Sequence, residues 1–168
     1  SLEYGINFFD TAEMYPTCPL RAETTGNTEI IIGNWIKKNK SKRPDIILAS
    51  KISGKGYKAV RNGEGINEKS IKIAIESSLK KLKTDYLDLY QLHWPNRGSY
   101  HFRQNWNYNP TTQDTETAKE NILQVLKALS DIQKEGKIRY IGLSNETCWG
   151  TTQFIHYLKE FPNLTLAS

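Results

Sequence analysis

A carboxylate, a phenol, an ammonium and an imidazole each stand at or just beyond the end of a short apolar run. Asp10 follows INFF, with Tyr15 in the loop after it. Lys51 follows IILAS, His93 follows YLDLYQL, and Ser144 and Asn145 follow IRYIGL. Each residue has an ordinary explanation. Asp10 can bond a turn, Lys51 can leave a sheet toward solvent, His93 can be a packed histidine, and Ser144-Asn145 can cap a helix. Together they fit one chemistry. A lysine at a dry strand end needs a counter-charge, and Asp10 supplies it. A lysine beside a tyrosine favours the phenolate and lowers the phenol pKa toward neutrality. A tyrosine so tuned, beside a histidine, can give its proton to a carbonyl oxygen that becomes an alkoxide. The matching reaction places hydride on the carbonyl carbon and a proton on its oxygen. Protein side chains hold no hydride donor, so a nicotinamide cofactor is implied, with Ser144 and Asn145 placed to bond its carboxamide.

The elements that must position these groups alternate. GINFFD reads as a short buried strand. Asn27 or Thr28 then caps TEIIIGNWIKKNK, a helix with Ile31 and Trp35 on one stripe that Pro44 breaks. DIILAS is a second strand. Asn67 caps EKSIKIAIESSLKKLK, whose Ile71, Ala74, Ile75, Ser78, Leu79 and Leu82 form one face. YLDLYQLH is the third strand, and an aromatic, Asn-rich segment without period follows it. AKENILQVLKALSDIQKEGK is a helix with Ile122, Val125, Leu129 and Ile132 inward and Gly136 as its stop. IRYIGLS is the fourth strand, TTQFIHYLKEF a helix, and NLTLAS opens a fifth strand. Continuous apolar strands joined by helices predict an α/β fold with a parallel sheet. In such folds chemistry gathers at the C-terminal strand ends, where all six residues lie. An open doubly wound sheet and a barrel both begin this way. A whole eight-unit barrel takes roughly 250 residues, so this length would hold about half of one.

The 168 residues are 38% hydrophobic and 24% charged, the mix of an ordinary globular domain. No apolar run is long enough to span a bilayer, and SLEYGINFFD has neither the basic start nor the cleavage site of a secretion signal. A cytoplasmic location, without a membrane partner, is expected. Cys18 and Cys148 lie far apart and have no metal-ligand spacing, so a reducing compartment fits and no metal site is expected. The net charge of +5 is spread over helix faces and loops. It suits a phosphorylated cofactor, and nucleic acid is not expected as a partner. No G-x-G-x-x-G follows a strand, and GKGYKAVRNGEG matches neither that pattern nor a P-loop.

GINFFDTAEMY, LASK, SLKKLKTDYLDLYQLHWP and GKIRYIGLSNET, in that order and spacing, closely resemble the aldo-keto reductase superfamily, in particular its bacterial branch similar to potassium-channel β subunits. The resemblance covers essentially all of residues 1–168. It implies a partial (β/α)8 TIM barrel, about strands 2 to 6 with their helices, as one incomplete domain. It implies NADPH bound without a Rossmann motif and a small-molecule carbonyl substrate. Asp10, Tyr15, Lys51 and His93 match the family's catalytic tetrad, with Tyr15 as general acid, Lys51 tuning it, Asp10 paired with Lys51 and His93 orienting the carbonyl. Ser144 and Asn145 match the nicotinamide contacts. Trp94 and the loop after it, with Tyr100, Phe102, Trp106 and Tyr108, match the substrate-covering segment and suit a bulky or apolar substrate. The family's groups for the pyrophosphate and the adenosine 2′-phosphate would fall beyond Ser168. The 168 residues alone are therefore expected to bind NADPH poorly, to turn over slowly or not at all, and to expose sheet edges that invite association. The other reading the resemblance allows is an NADPH-binding regulatory subunit with little turnover.

Overall fold

The computed structural model describes residues 2–102 and 104–168. Four parallel strands, β1 (Phe8–Asp10), β2 (Ile47–Ile52), β3 (Leu87–Leu92) and β4 (Ile138–Leu143), lie side by side in chain order. Helices α1 (Asn27–Lys38), α2 (Glu68–Leu82) and α3 (Thr115–Lys134) connect them, and α4 (Cys148–Tyr157) follows β4. This sequential order, with no reversal of direction across the sheet, selects the barrel type of winding over the doubly wound one. The sheet is open, as a part of a barrel would be.

The core lies between one face of the sheet and the helices. Leu48, Ile52, Tyr90 and Ile141 meet Ile71, Ile75, Leu82, Leu126 and Leu129 there. The α2 face read from its spacing is the buried face, and Asn67 caps the helix in a reciprocal box with Ser70. The α3 residues expected inward are buried too, and Gly136 follows the helix at φ +77°. Gly33 of α1 meets the end of α2 so closely that an added Cβ would strike the backbone at Lys81 and Leu82. Gly33→Ala is therefore expected to lower stability by roughly 1–3 kcal/mol, read as a lower urea midpoint with an unchanged m-value.

Five expectations change. β1 is not buried: Ile6 is 60% and Phe8 49% exposed. Hydrogen bonding holds it to β2 on one side, and Phe8 projects on the face without helices. Neither Asn27 nor Thr28 caps α1. Gly26, at φ +85°, is the cap residue, and the N–H groups of Gly26 and Thr28 donate to the carbonyl of Tyr15 at 3.0 and 3.3 Å. The buried stripe of α1 is Glu29, Gly33 and Ile36, with Ile31 exposed and Trp35 half-buried against Phe9. The helix turns this way because Glu29 is drawn inward, accepting from Ser50 Oγ at 2.7 Å and lying 3.3 Å from Lys81 Nζ. It ends at Lys38, before Pro44, which sits inside a separate 3-10 turn. Finally, the NLTLAS strand is reduced to one parallel bridge, Ile141 to Leu166. No helix among the described residues is long and apolar enough to cross a membrane.

Candidate active site

Side chains alternate across a strand, so Asp10, Lys51 and Gln91 project on the face opposite the helices, and His93 continues that face past the end of β3. The register makes a staircase. Asp10 pairs with Ala49, Lys51 lies two residues further and pairs with Gln91, and the His93 N–H donates to Ile52 O at 2.9 Å. Each strand thus delivers its polar group at a slightly different height.

Lys51 Nζ donates to Asp10 Oδ2 at 2.5 Å and to the Thr11 carbonyl at 2.9 Å. Its side chain is 6% exposed, that of Asp10 44%. A buried ammonium with two oxygen partners and a half-open counter-ion avoids the full cost of burying an ion pair. Tyr15 leans over this pair. Its ring centre lies 5.4 Å from Lys51 Nζ, and its hydroxyl is 3.4 Å from His93 Nε2, at the long limit of a hydrogen bond. The Tyr15 carbonyl, held by the start of α1, anchors the loop that aims the phenol. The structure therefore brings Asp10, Tyr15, Lys51 and His93 together.

The expected lowering of the Tyr15 pKa is not observed. The phenol is pushed above its ordinary value, first by burial and then by the Asp10 carboxylate. Asp10 offsets the field of the lysine it accompanies, so the tyrosine does not feel an isolated cation. His93 moves the other way. Burial, aided by the Lys51 charge, brings its imidazole down to about 4. It is therefore uncharged at neutral pH, and Nδ1 is buried without a partner among the described residues. In the unfolded chain a histidine titrates near 6.5. Between these values the unfolded state binds more protons, so stability falls as pH drops from about 6.5 toward 4, by at most about 3 kcal/mol. Histidine Cε1 resonances should show His93 titrating near pH 4, and His93→Gln should flatten the dependence of the urea midpoint over that interval.

Ser144 and Asn145 lie at the same rim. The Ser144 N–H donates to Leu92 O at 2.9 Å, continuing the β3–β4 ladder. Asn145 adopts φ +55°, and its Nδ2 donates to the His93 carbonyl at 2.8 Å and to Ser144 Oγ at 3.0 Å. No hydrogen bond among the described residues uses Asn145 Oδ1, and the side chain is exposed. An amide oxygen and a serine hydroxyl at one rim are the donor and acceptor that a carboxamide requires. Trp94, expected at the substrate, is 5% exposed, and its indole N–H is spent on the Lys55 carbonyl at 3.1 Å. It packs on Ala12 and Met14 and lies edge-on to Phe102, the aromatic that faces outward beside it.

Sequence reasoning missed Gln91, whose Nε2 donates to Asp10 Oδ1 at 3.0 Å. Its position two residues before His93 was the available signal, since both then share a strand face. It also missed Arg97, which pairs with Glu146, donates to Thr147 Oγ1 at 3.1 Å and stacks over Trp149, tying the loop after β3 to the segment after Asn145. A cavity of about 970 Å³ is lined by Trp94, Asn96, Arg97, Tyr108 and Asn121. It does not include Asp10, Tyr15, Lys51 or His93, which stand on the open face of the sheet.

Comparisons with known proteins agree with this architecture. Residues 1–167 match the model of the "Aldo/keto reductase family". Protein tas of Escherichia coli K12 is 46% identical over 155 residues, covering 90% of this chain and 43% of that protein. Norsolorinic acid reductase B of Aspergillus parasiticus is 29% identical over 163 residues, covering 94% of this chain and 35% of that protein. The chain thus spans less than half the length of these relatives. A crystal structure of a thermostable aldo-keto reductase in complex with the inhibitor epalrestat superimposes with a TM-score of 0.62 at 28% identity, covering 93% of this chain and 42% of that one. With a family model matched over nearly its whole length and the parallel strands in barrel order, the chain belongs to the aldo/keto reductase family.

Proposed function

We propose that the protein carrying this chain is a cytoplasmic NADPH-dependent reductase of aldehyde or ketone carbonyls, and that residues 1–168 are one incomplete barrel domain of it. The observation that carries the proposal is the Tyr15 hydroxyl 3.4 Å from His93 Nε2, above the Lys51–Asp10 pair. The bound dinucleotide supplies the hydride. The chain's residues supply the rest. Tyr15 remains protonated at neutral pH and gives its proton to the carbonyl oxygen as negative charge develops there. His93 cannot be that acid, because its imidazole is already neutral. With Nε2 carrying its proton it orients the carbonyl by hydrogen bonding. The Lys51 ammonium, fixed by Asp10, steadies the phenolate that Tyr15 leaves behind. Ser144 Oγ and Asn145 Oδ1 hold the nicotinamide carboxamide. Phe102 and its aromatic neighbours give an apolar wall to the substrate side.

The test is oxidation of NADPH at 340 nm by the full-length protein against a panel of aldehydes and ketones, beside its Tyr15→Phe variant. Turnover that the variant loses supports a reductase. Tight NADPH binding without turnover would replace this reading with the regulatory-subunit one.

A further inference from the structure

We propose that the buried pair Glu13–Arg61 is a positioning device that fixes the Tyr15 loop to the end of the Lys51 strand. This rests on the reductase reading for its consequence, though not for its geometry. β1 ends at Asp10, yet the chain beyond it stays attached to β2: the Thr11 N–H donates to Ala49 O at 3.0 Å and the Glu13 N–H to Lys51 O at 3.2 Å. There the main-chain ladder stops, two residues before Tyr15. Side chains take over its next rung. Glu13 Oε1 accepts the Ser53 N–H at 2.5 Å, and Arg61 Nη2 donates to the Ser53 carbonyl at 3.0 Å. The two side chains join each other at 2.5 Å, Arg61 Nη1 to Glu13 Oε2. A carboxylate stands where a strand's carbonyl would be, and a guanidinium where its N–H would be.

The pair is dry, with side chains 4% and 10% exposed. The backbone bends to deliver it: Arg61 and Asn62 occupy the left-handed region at φ +45° and +54°, where non-glycine residues are strained. The same segment brings Tyr57 and Val60 against the cluster of Ala12, Met14 and Trp94 on which Tyr15 also packs. Tyr57 closes the far side through its hydroxyl, 3.0 Å from Thr25 Oγ1. Replacing such a pair by neutral side chains is compatible with folding, whereas removing one partner strands a buried charge. The ion pair therefore serves placement more than stability. A displacement of the phenol by about 1 Å costs on the order of 10²-fold in rate.

The test uses the full-length protein with Glu13→Gln and Arg61→Met combined, so that no buried charge is left alone, and Arg61→Lys, which keeps the charge but cannot bridge both Ser53 and Glu13. In the double variant kcat is expected to fall at least about tenfold with KM for the carbonyl within about threefold, and Arg61→Lys should fall between. A second readout needs no turnover: the Cζ resonance of Tyr15, assigned with Tyr15→Phe, followed through its alkaline titration. Its midpoint should move from the raised wild-type value toward the ordinary value near 10 as the loop admits water. An unchanged Tyr15 titration in either folded variant, or an unchanged kcat, overturns the proposal. If the double variant does not fold, Arg61→Lys decides by the same two readouts. Absence of Tyr15-dependent turnover in the wild type would instead sink the reductase reading, and the titration would still decide the role of the pair.

Discussion

Tyr15→Phe is expected to lower kcat for carbonyl reduction by about 10²- to 10⁴-fold, the usual contribution of a positioned acid. The substitution removes one oxygen and keeps the ring. The ring's packing on the cluster of Ala12, Met14 and Trp94 and its edge-on contact with His93 at 5.5 Å therefore survive. The start of α1 is anchored by the Tyr15 carbonyl rather than its hydroxyl, so the loop should hold its shape. Cofactor affinity, read by quenching of protein fluorescence, should change by less than about threefold, because the groups assigned to the carboxamide are Ser144 and Asn145. The hydroxyl's partner is His93 Nε2 at 3.4 Å, the long limit of a hydrogen bond, so its loss should move the melting temperature little. A variant retaining full kcat would show that another group delivers the proton. His93 would be a poor candidate, with its imidazole neutral above about pH 4.

Lys51→Met is expected to have the second largest effect, about 10²-fold in kcat, with a distinct pH signature. The ammonium is held by Asp10 and the Thr11 carbonyl, and removing it leaves the Asp10 carboxylate near Tyr15 without its counter-ion. That carboxylate already raises the Tyr15 pKa. Uncompensated, it raises it further, so the alkaline limb of kcat, where the phenol is lost as a proton donor, should shift to higher pH. His93 should respond in the opposite sense to its present depression. Lys51 is one cause of its lowered value, so His93 should titrate above about 4 in the variant. Asp10 keeps its bond from Gln91 at 3.0 Å and is half-open to water, which limits the cost to folding. An unchanged pH profile with unchanged kcat would remove Lys51 from the reaction.

The open face of the sheet bears on both results. Asp10, Phe8 and Tyr140 are all substantially exposed on it, while Lys51 and His93 are buried, so water reaches the group of four from the Asp10 side. The expected magnitudes accordingly refer to the full-length protein. The described residues alone are expected to show them weakly.

Much of this arrangement was legible in the chain, and the reason is periodicity. Apolar runs of strand length alternating with helical faces such as Ile71–Leu82 and Ile122–Ile132 dictate parallel β and α layers, because backbone groups must pair and one face must be dry. Once strands are parallel, the residue at each C-terminal end is forced to one rim. Asp10, Lys51, His93 and Ser144 could therefore be placed together from their positions alone. The rotation of α1 could not be read the same way. Its Ile30, Ile31 and Ile32 are equivalent by hydropathy, and the deciding contact is Glu29 with Ser50 and Lys81, residues remote in sequence. The cap of α1 was hidden for a similar reason, since it is the Tyr15 carbonyl that accepts its first N–H groups.

What the sequence by itself determined is the alternation of elements, the parallel sheet and the set of chemical groups at its rim, all of which follow from local pattern and chain direction. What only the tertiary structure decided is how those groups act on one another. Burial and the Asp10 carboxylate raise the Tyr15 pKa where the neighbouring lysine alone would lower it, and burial strips the charge from His93. Glu13 and Arg61 carry the strand pairing past its end. Ionisation depends on distance and on exclusion of water, and both are set by segments that meet only after the chain has folded.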